Sequence, residues 1–141
     1  MMPIFVLDTD TVTRQQANRA TIIRRLEQIP PTEVFTTVIT LREQIRGRLA
    51  VVDAVKEDSD LVRAYTQLQA TIDYFKLVHV LPFSAEALVK LQQLRLQRIR
   101  VGTQDLRIAA IVLSVGGILV TSNQRDFTKV PGLSMEDWDV G

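Results

Sequence analysis

The sequence predicts an α/β protein, a three-layer α/β/α sandwich around a mainly parallel central sheet. Short apolar runs rich in β-branched residues alternate with longer segments in which apolar residues recur every three or four positions. This alternation implies right-handed crossovers and a parallel sheet covered by helices on both faces. The chain has 141 residues, so we expect one domain that spans residues 1–141.

The elements follow in order along the chain. Five strands are predicted at residues 4–7, 33–39, 78–81, 118–121 and 133–138. Between them lie helices predicted to begin near Asn18, Thr40, Ser59 or Asp60, Ser84 and Thr103. The longest of these helices carries one apolar stripe, predicted to be buried, made of Leu61, Ala64, Tyr65, Leu68, Ile72 and Phe75.

Composition excludes several kinds of protein. There is no cysteine, so disulfides, thiolate metal sites and thiol nucleophiles are absent. The single histidine, His79, has no partner acid at a recognisable spacing, which favours a core or edge position over a triad or a zinc ligand. The longest apolar stretch, Ile108 to Val120, is too short to cross a bilayer. Met1 to Leu7 lacks a basic leader, so we expect a cytoplasmic protein.

The basic residues are mostly arginine. The net charge is only +1, yet 13 of the 17 basic residues are arginines, and they cluster around residues 24–25, 42–48 and 95–107. Arginine binds phosphate through a planar, bidentate fork. Solvated helix faces explain such clusters equally well, so charge alone neither demands nor forbids nucleic acid.

Four carboxylates are candidates for chemistry. Asp8 and Asp126 come just after apolar strands, and Glu43 and Asp105 lie in the first turns of helices. Ligands of open α/β sheets gather beyond the carboxyl ends of the strands, so the four acids could converge there. Asp8 closes an apolar strand, and a partly buried charge must be paired or bind a metal. Converging carboxylates favour a hard cation such as Mg²⁺ or Mn²⁺, which predicts phosphodiester hydrolysis.

Each of the other acids also has a structural interpretation. Glu43 stands three residues after Thr40, the spacing of a capping box. Asp105 favours the positive end of its helix dipole. Asp126 and Asp10 could each cap a short helical turn.

Four segments, taken in order, resemble the PIN domain family and, within it, the VapC-type ribonuclease toxins of bacterial type II toxin–antitoxin pairs. They are FVLDTD at residues 5–10, TLREQIRG at 40–47, GTQDLRIA at 102–109, and LVTSN at 119–123 leading into RDF at 125–127. Each segment is short, but their order and spacing together are specific, and the resemblance covers the whole chain.

The resemblance implies an endoribonuclease that uses Mg²⁺ or Mn²⁺, with Asp8, Glu43 and Asp105 as the core metal-binding acids. Many PIN domains have an aspartate at the position matching Asn123. Because that position holds an amide here, either Asn123 or Asp126 could supply the fourth ligand, and the number of metals stays open.

Further expectations come with the family. Thr121 matches a threonine near the site that helps to orient a carboxylate or a water, and Arg46, Arg107 and Arg125 are candidates to position RNA phosphates. Family members pair with a VapB-like antitoxin whose C-terminal segment lies across the acidic site, and they tend to form homodimers. We expect both partners here, and no membrane association.

Three alternatives remain. The chain could be a housekeeping RNA-processing nuclease of the same fold, or a PIN-like binding protein that has lost catalysis. A receiver-like phospho-acceptor domain also places acids at strand ends, but Lys129 would be the only candidate for its lysine and no aspartate ends the third strand.

Overall fold

A computed structural model describes residues 2–140. Its strands are β1 (Phe5–Leu7), β2 (Val34–Thr37), β3 (His79–Leu81), β4 (Ile118–Val120) and β5 (Ser134–Glu136). Its α-helices are α1 (Thr9–Gln16), α2 (Ala20–Glu27), α3 (Val38–Asp53), α4 (Asp58–Leu77), α5 (Ala85–Leu96), α6 (Thr103–Val115) and α7 (Gln124–Phe127). The strands form one parallel sheet in the order β3-β2-β1-β4-β5.

The central strand β1 divides the core between the two faces of the sheet. Val6 packs in one apolar cluster with residues of α3, α5 and α6. Phe5 and Leu7 point the other way, because successive side chains of a strand alternate, and pack with Val12 of α1 and Ile22 of α2. Helices therefore cover both faces, and the predicted three-layer α/β/α sandwich is confirmed.

The fold places the candidate site residues at the edge formed by the carboxyl ends of the strands. Crossover helices run antiparallel to the strands they connect, so the N-termini of α1, α3 and α6 lie beside the carboxyl ends of β1, β2 and β4. At this edge Leu7 of β1 pairs with Val120 of β4, so the residues that follow them, Asp8 and Thr121, are neighbours. The Asp8 amide also donates to the Val120 carbonyl at 3.1 Å.

Several predicted helix starts are wrong. Helix α1 was not predicted; its N-cap is Asp8, not Asp10. Asn18 caps no helix and instead adopts a left-handed conformation with φ 57° between α1 and α2. Helix α3 begins before Thr40, because the Thr37 side chain accepts from the Thr40 amide at 3.2 Å. Glu43 therefore does not belong to a capping box with Thr40.

The predicted apolar stripe of α4 is only partly buried. Ala64 is buried, but Leu61, Tyr65 and Ile72 are 37%, 56% and 38% exposed. Helix α4 packs beside α3 and the edge strand β3 rather than across the sheet, so its apolar side chains lie at the margin of the core. The helix period is correct, whereas the predicted degree of burial is wrong.

Other predictions hold. Ser84 caps α5 by accepting from the Ala87 amide at 3.1 Å, and Gly116, with φ 64°, ends α6 in the left-handed conformation that glycine favours. His79 lies exposed on edge strand β3, its ring 5.3 Å from that of Phe35. Among residues 2–140 no helix is both long enough and apolar enough to span a membrane.

Candidate functional site

Asp8 is the most deeply buried acid at the carboxyl edge of the sheet. Its residue surface is 4% exposed, and its Oδ1 accepts from the Thr11 amide at 2.9 Å as the N-cap of α1. Burial raises the pKa of Asp8, although hydrogen bonds from Thr11 and Thr121 oppose the shift. A carboxylate in this position is costly to ionise without a cation beside it.

Glu43 reaches the same edge from α3. It is half-buried, and its Oε1 accepts from the Thr9 hydroxyl at 3.2 Å. Burial raises the pKa of Glu43, and Asp10 and Asp8 raise it further, while the Thr9 hydroxyl and the Arg42 guanidinium lower it. Glu43 therefore lies within the electrostatic field of acids that come from a different part of the chain.

Asp105 completes a set of three acids with raised pKa. It occupies the first turn of α6, and its pKa is raised to about 6, first by burial and then by the charges of Asp8, Glu43, Asp10 and Asp126. The charges that act most strongly on Asp105 are thus all carboxylates.

The acids share an electrostatic field without forming a closed metal cage. Among residues 2–140 no set of three or more Asp, Glu or His side chains is arranged to enclose a metal ion. The donor chemistry still fits a hard divalent cation, because the donors are carboxylate oxygens and a bound cation relieves their mutual repulsion while they stay ionised. Such a cation keeps several waters and needs only a few protein ligands.

Asp126 behaves differently from the other three acids. Its side chain is 40% exposed and lies 3.5 Å from the Lys129 ammonium. Its carboxylate also accepts from the side-chain Nδ2 of Asn123 at 3.2 Å. The hydrogen bond from Asn123, with a smaller contribution from Lys129, lowers the pKa of Asp126. The two candidates for a fourth ligand are thus bonded to each other, and Asp126 already has partners for its charge.

Thr121 links this pair to Asp8. Thr121 is fully buried. Its hydroxyl oxygen accepts from the backbone N–H of Asn123 at 2.9 Å and lowers the pKa of Asp8 through a hydrogen bond. These contacts match the predicted orienting role, which stays a prediction.

Two of the three predicted phosphate-binding arginines lie near the acids: Arg46 lines a cleft with Glu43, and the charge of Arg125 acts on Asp126, whereas Arg107 lines a separate apolar cleft. Arg46 and Arg125 are exposed, and Arg107 is half-buried, with its guanidinium 3.4 Å from the Gln104 side-chain oxygen. In the part of the chain that the structure describes, none of the three forms an ion pair. Their charges are therefore available to a ligand.

Two clefts flank Glu43 and contain residues that the sequence did not single out. One, of about 290 Å³, is lined by Arg42, Glu43, Arg46, Gly47, Ala50 and Gln104. The other, of about 360 Å³, is lined by Thr9, Thr13, Gln16, Glu43, Gln44, Gly47 and Arg48. Thr9 was missed because its contact with Glu43 depends on how α1 and α3 pack, whereas Arg42 directly precedes Glu43 on α3. The arginine cluster at 42–48 was the only signal for Arg42.

Comparison with known proteins identifies the family of the chain. The model of the family described as PIN domain matches residues 5–133. A protein of Salmonella typhimurium described as tRNA(fMet)-specific endonuclease VapC is 29% identical over 138 residues, 95% of this chain and 97% of that protein. Ribonuclease VapC1 of Rickettsia felis is 32% identical over 108 residues, 73% of this chain and 75% of that protein.

A solved structure agrees as well. DNA-bound VapBC from Salmonella typhimurium contains a chain that superimposes with a TM-score of 0.80 at 27% identity, covering 97% of this chain and 99% of that one. The family model spans the edge that carries Asp8, Glu43, Asp105 and Asp126. This chain therefore belongs to the PIN domain family, within its VapC branch.

Proposed function

We propose that this protein is an endoribonuclease that depends on Mg²⁺ or Mn²⁺ and acts as the toxin of a toxin–antitoxin pair. The observation that carries the proposal is the meeting of Asp8, Glu43 and Asp105, three acids from separate elements whose pKa values are all raised. Its relatives include proteins described as ribonucleases and endonucleases.

The residues divide into two groups by their surroundings. Asp8, Glu43 and Asp105 would hold the cation, because each is at least partly buried and lacks a compensating ion pair. When bound, a divalent cation would lower the pKa of the attacking water and place positive charge beside the phosphate. Asp126 and Asn123, tied to each other at 3.2 Å, form the outer side of the site, and Thr121 would orient Asp8.

The defining experiment uses protein freed of any bound partner. Transfer RNA and single-stranded RNA are incubated with the protein in Mg²⁺ or Mn²⁺, with and without EDTA, and Mn²⁺ binding is measured separately by calorimetry. We expect internal cleavage that EDTA abolishes and that added Mn²⁺ restores. Protein that is folded but binds no Mn²⁺, or that cleaves equally well in EDTA, would overturn the proposal.

Arg42 and Arg46 are expected to hold RNA phosphates in the cleft beside Glu43. Replacing both by alanine should raise KM for RNA about tenfold and reduce the dependence of log KM on log salt by about 1.4, since each lost phosphate contact removes about 0.7 from that slope for a single strand. The catalytic constant should change less than KM, because neither side chain is one of the proposed metal-binding acids, although Arg42 also lowers the pKa of Glu43. Steady-state cleavage between 50 and 300 mM KCl measures both effects.

A matched control separates this effect from general loss of charge. Arg24 and Arg63 are exposed on α2 and α4, and their double alanine variant has the same net charge as the Arg42/Arg46 variant. We expect it to keep the wild-type KM and salt slope. Equal losses in the two double variants would refute a specific role for the cleft.

The partner proposals rest on family membership. We propose a VapB-like antitoxin that covers the acidic site, a homodimer of the toxin, and action in the cytoplasm, where the RNA substrate is made. Support for the antitoxin comes from the solved VapBC structure described above. Light scattering after size exclusion is expected to give twice the 15.9 kDa mass of the chain, and a monomer at every concentration tested would contradict the dimer.

A further inference from the structure

We propose that Thr9 is a positioning residue for Glu43. Its hydroxyl, itself held by the hydroxyl of Thr40, fixes one carboxylate oxygen of Glu43 and leaves the other to the ligand. This inference rests on the proposed metal-dependent function and concerns a residue outside the four acids.

The contacts define a short hydrogen-bond chain between two helices. The Thr9 Oγ1 atom lies 3.2 Å from Glu43 Oε1 and 3.0 Å from Thr40 Oγ1. A hydroxyl carries one hydrogen, and an ionised carboxylate only accepts. Thr9 therefore donates to Glu43, and Thr40 must donate to Thr9. The direction of the chain, from Thr40 through Thr9 to Glu43, follows from this count.

Both threonines of this hydrogen-bond chain are held in place by the fold. Thr40 is fully buried and lies on α3, one turn before Glu43. Thr9 is the first residue of α1, directly after Asp8, whose carboxylate accepts from the Thr11 amide at 2.9 Å. The β-branched Thr9 has few χ1 choices, so its hydroxyl position is set by the backbone of this turn.

Among the three acids, Glu43 is the one whose side-chain conformation depends most on an orienting hydrogen bond. A glutamate side chain has three rotatable torsions, and ordering it costs conformational entropy. The hydrogen bond to Oε1 orders the side chain before any ligand binds and so offsets part of this cost. No described side chain donates to Oε2, which leaves that oxygen as the free acceptor. One two-residue segment, Asp8–Thr9, thus supplies one acid and orients a second.

The test compares Thr9→Val, which keeps the shape and removes the hydroxyl, with Thr9→Ser, which keeps the hydroxyl. Loss of a partner that orients a metal ligand usually costs about 10- to 100-fold in metal affinity or activity. We expect Thr9→Val to weaken Mn²⁺ binding in calorimetry by at least about tenfold, and Thr9→Ser to stay within about threefold of wild type. Calorimetry is done without RNA, so it does not depend on activity.

Two further variants make the result specific. Thr66→Val removes a hydroxyl of the same kind from α4, away from the acids, where it donates to the Val62 carbonyl at 2.6 Å; it should bind Mn²⁺ as wild type does. In a Glu43→Ala background, which has no side-chain oxygen for Thr9 to hold, Thr9→Val should have no added effect, because Thr9 acts through Glu43. A merely structural role would weaken binding equally in both backgrounds.

The outcomes are distinguishable. Wild-type Mn²⁺ affinity in folded Thr9→Val would overturn the positioning role while leaving the proposed function intact, whereas a wild-type chain that binds no Mn²⁺ would overturn the function itself. If Thr9→Val fails to fold, Thr40→Val and Thr40→Ser carry the test. The valine variant should then bind Mn²⁺ several-fold more weakly and the serine variant normally, and equal binding by both would overturn the inference.

Discussion

An Asp8→Asn variant is expected to lose at least about 100-fold in RNA cleavage, because a bound metal contributes several kcal/mol to catalysis and each 1.4 kcal/mol corresponds to a factor of ten. It should remain folded and at least as stable as the wild-type chain. Asparagine keeps an oxygen that can accept from the Thr11 amide as an N-cap. It also removes a carboxylate whose pKa burial raises, so the metal-free protein no longer holds that charge in a buried position.

Single-turnover cleavage and thermal unfolding without metal measure the two halves of this prediction. Asp60→Asn, an exposed substitution in the first turn of α4, is the matched control and should leave cleavage unchanged. An Asp8→Asn protein that cleaves RNA within threefold of wild type would refute the assignment of Asp8. One that unfolds would show that Asp8 is needed chiefly for structure.

Much of the fold could be predicted because its strands are short apolar runs bounded by clear signals. Helix α1 could not, since its sequence TDTVTRQQ contains three threonines, which are weak helix formers, and buries only Thr11 and Val12. What forms it is the Asp8 cap together with packing against the sheet. Helix α4 shows the opposite case. Its periodicity predicts which face of the helix is apolar, but it does not predict whether other elements bury that face.

The location of the candidate acids follows from the topology. Acids after strands and at helix starts lie at one edge of a parallel sheet of this kind, so the sequence predicts that Asp8, Glu43, Asp105 and Asp126 lie there. The contact of Thr9 with Glu43 crosses 34 residues and depends on the rotation of two helices, which no local pattern encodes. The pairing of Asn123 with Asp126 likewise needed the geometry of α7.

Without metal, the protein is expected to become less stable as the pH rises from about 4 to about 7. The pKa of Asp105 is raised from 3.8 to about 6 in the folded chain, so the folded state holds the proton more tightly than the unfolded state does. The stability this gives is fully present below about pH 4 and is lost as the pH passes through about 6. Asp8 and Glu43 shift in the same direction. After allowance for solvent screening, Asp105 contributes about 1–2 kcal/mol.

Metal should reverse this trend, because a cation binds the ionised acids and protons compete with it. Saturating Mn²⁺ is expected to raise the melting temperature clearly at pH 7.5 and hardly at pH 5. Asp126 and Asp139, whose pKa values are lowered, lose their contribution to stability only below about pH 4 and leave this window unaffected.

Differential scanning calorimetry of wild type and Asp105→Asn, each with Mn²⁺ or EDTA, measures the effect. The variant should be the more stable protein at pH 7.5 in EDTA and should gain least from Mn²⁺. If Mn²⁺ stabilised wild type equally at both pH values, the acids would not be its binding site, because only their protonation changes its affinity across this range.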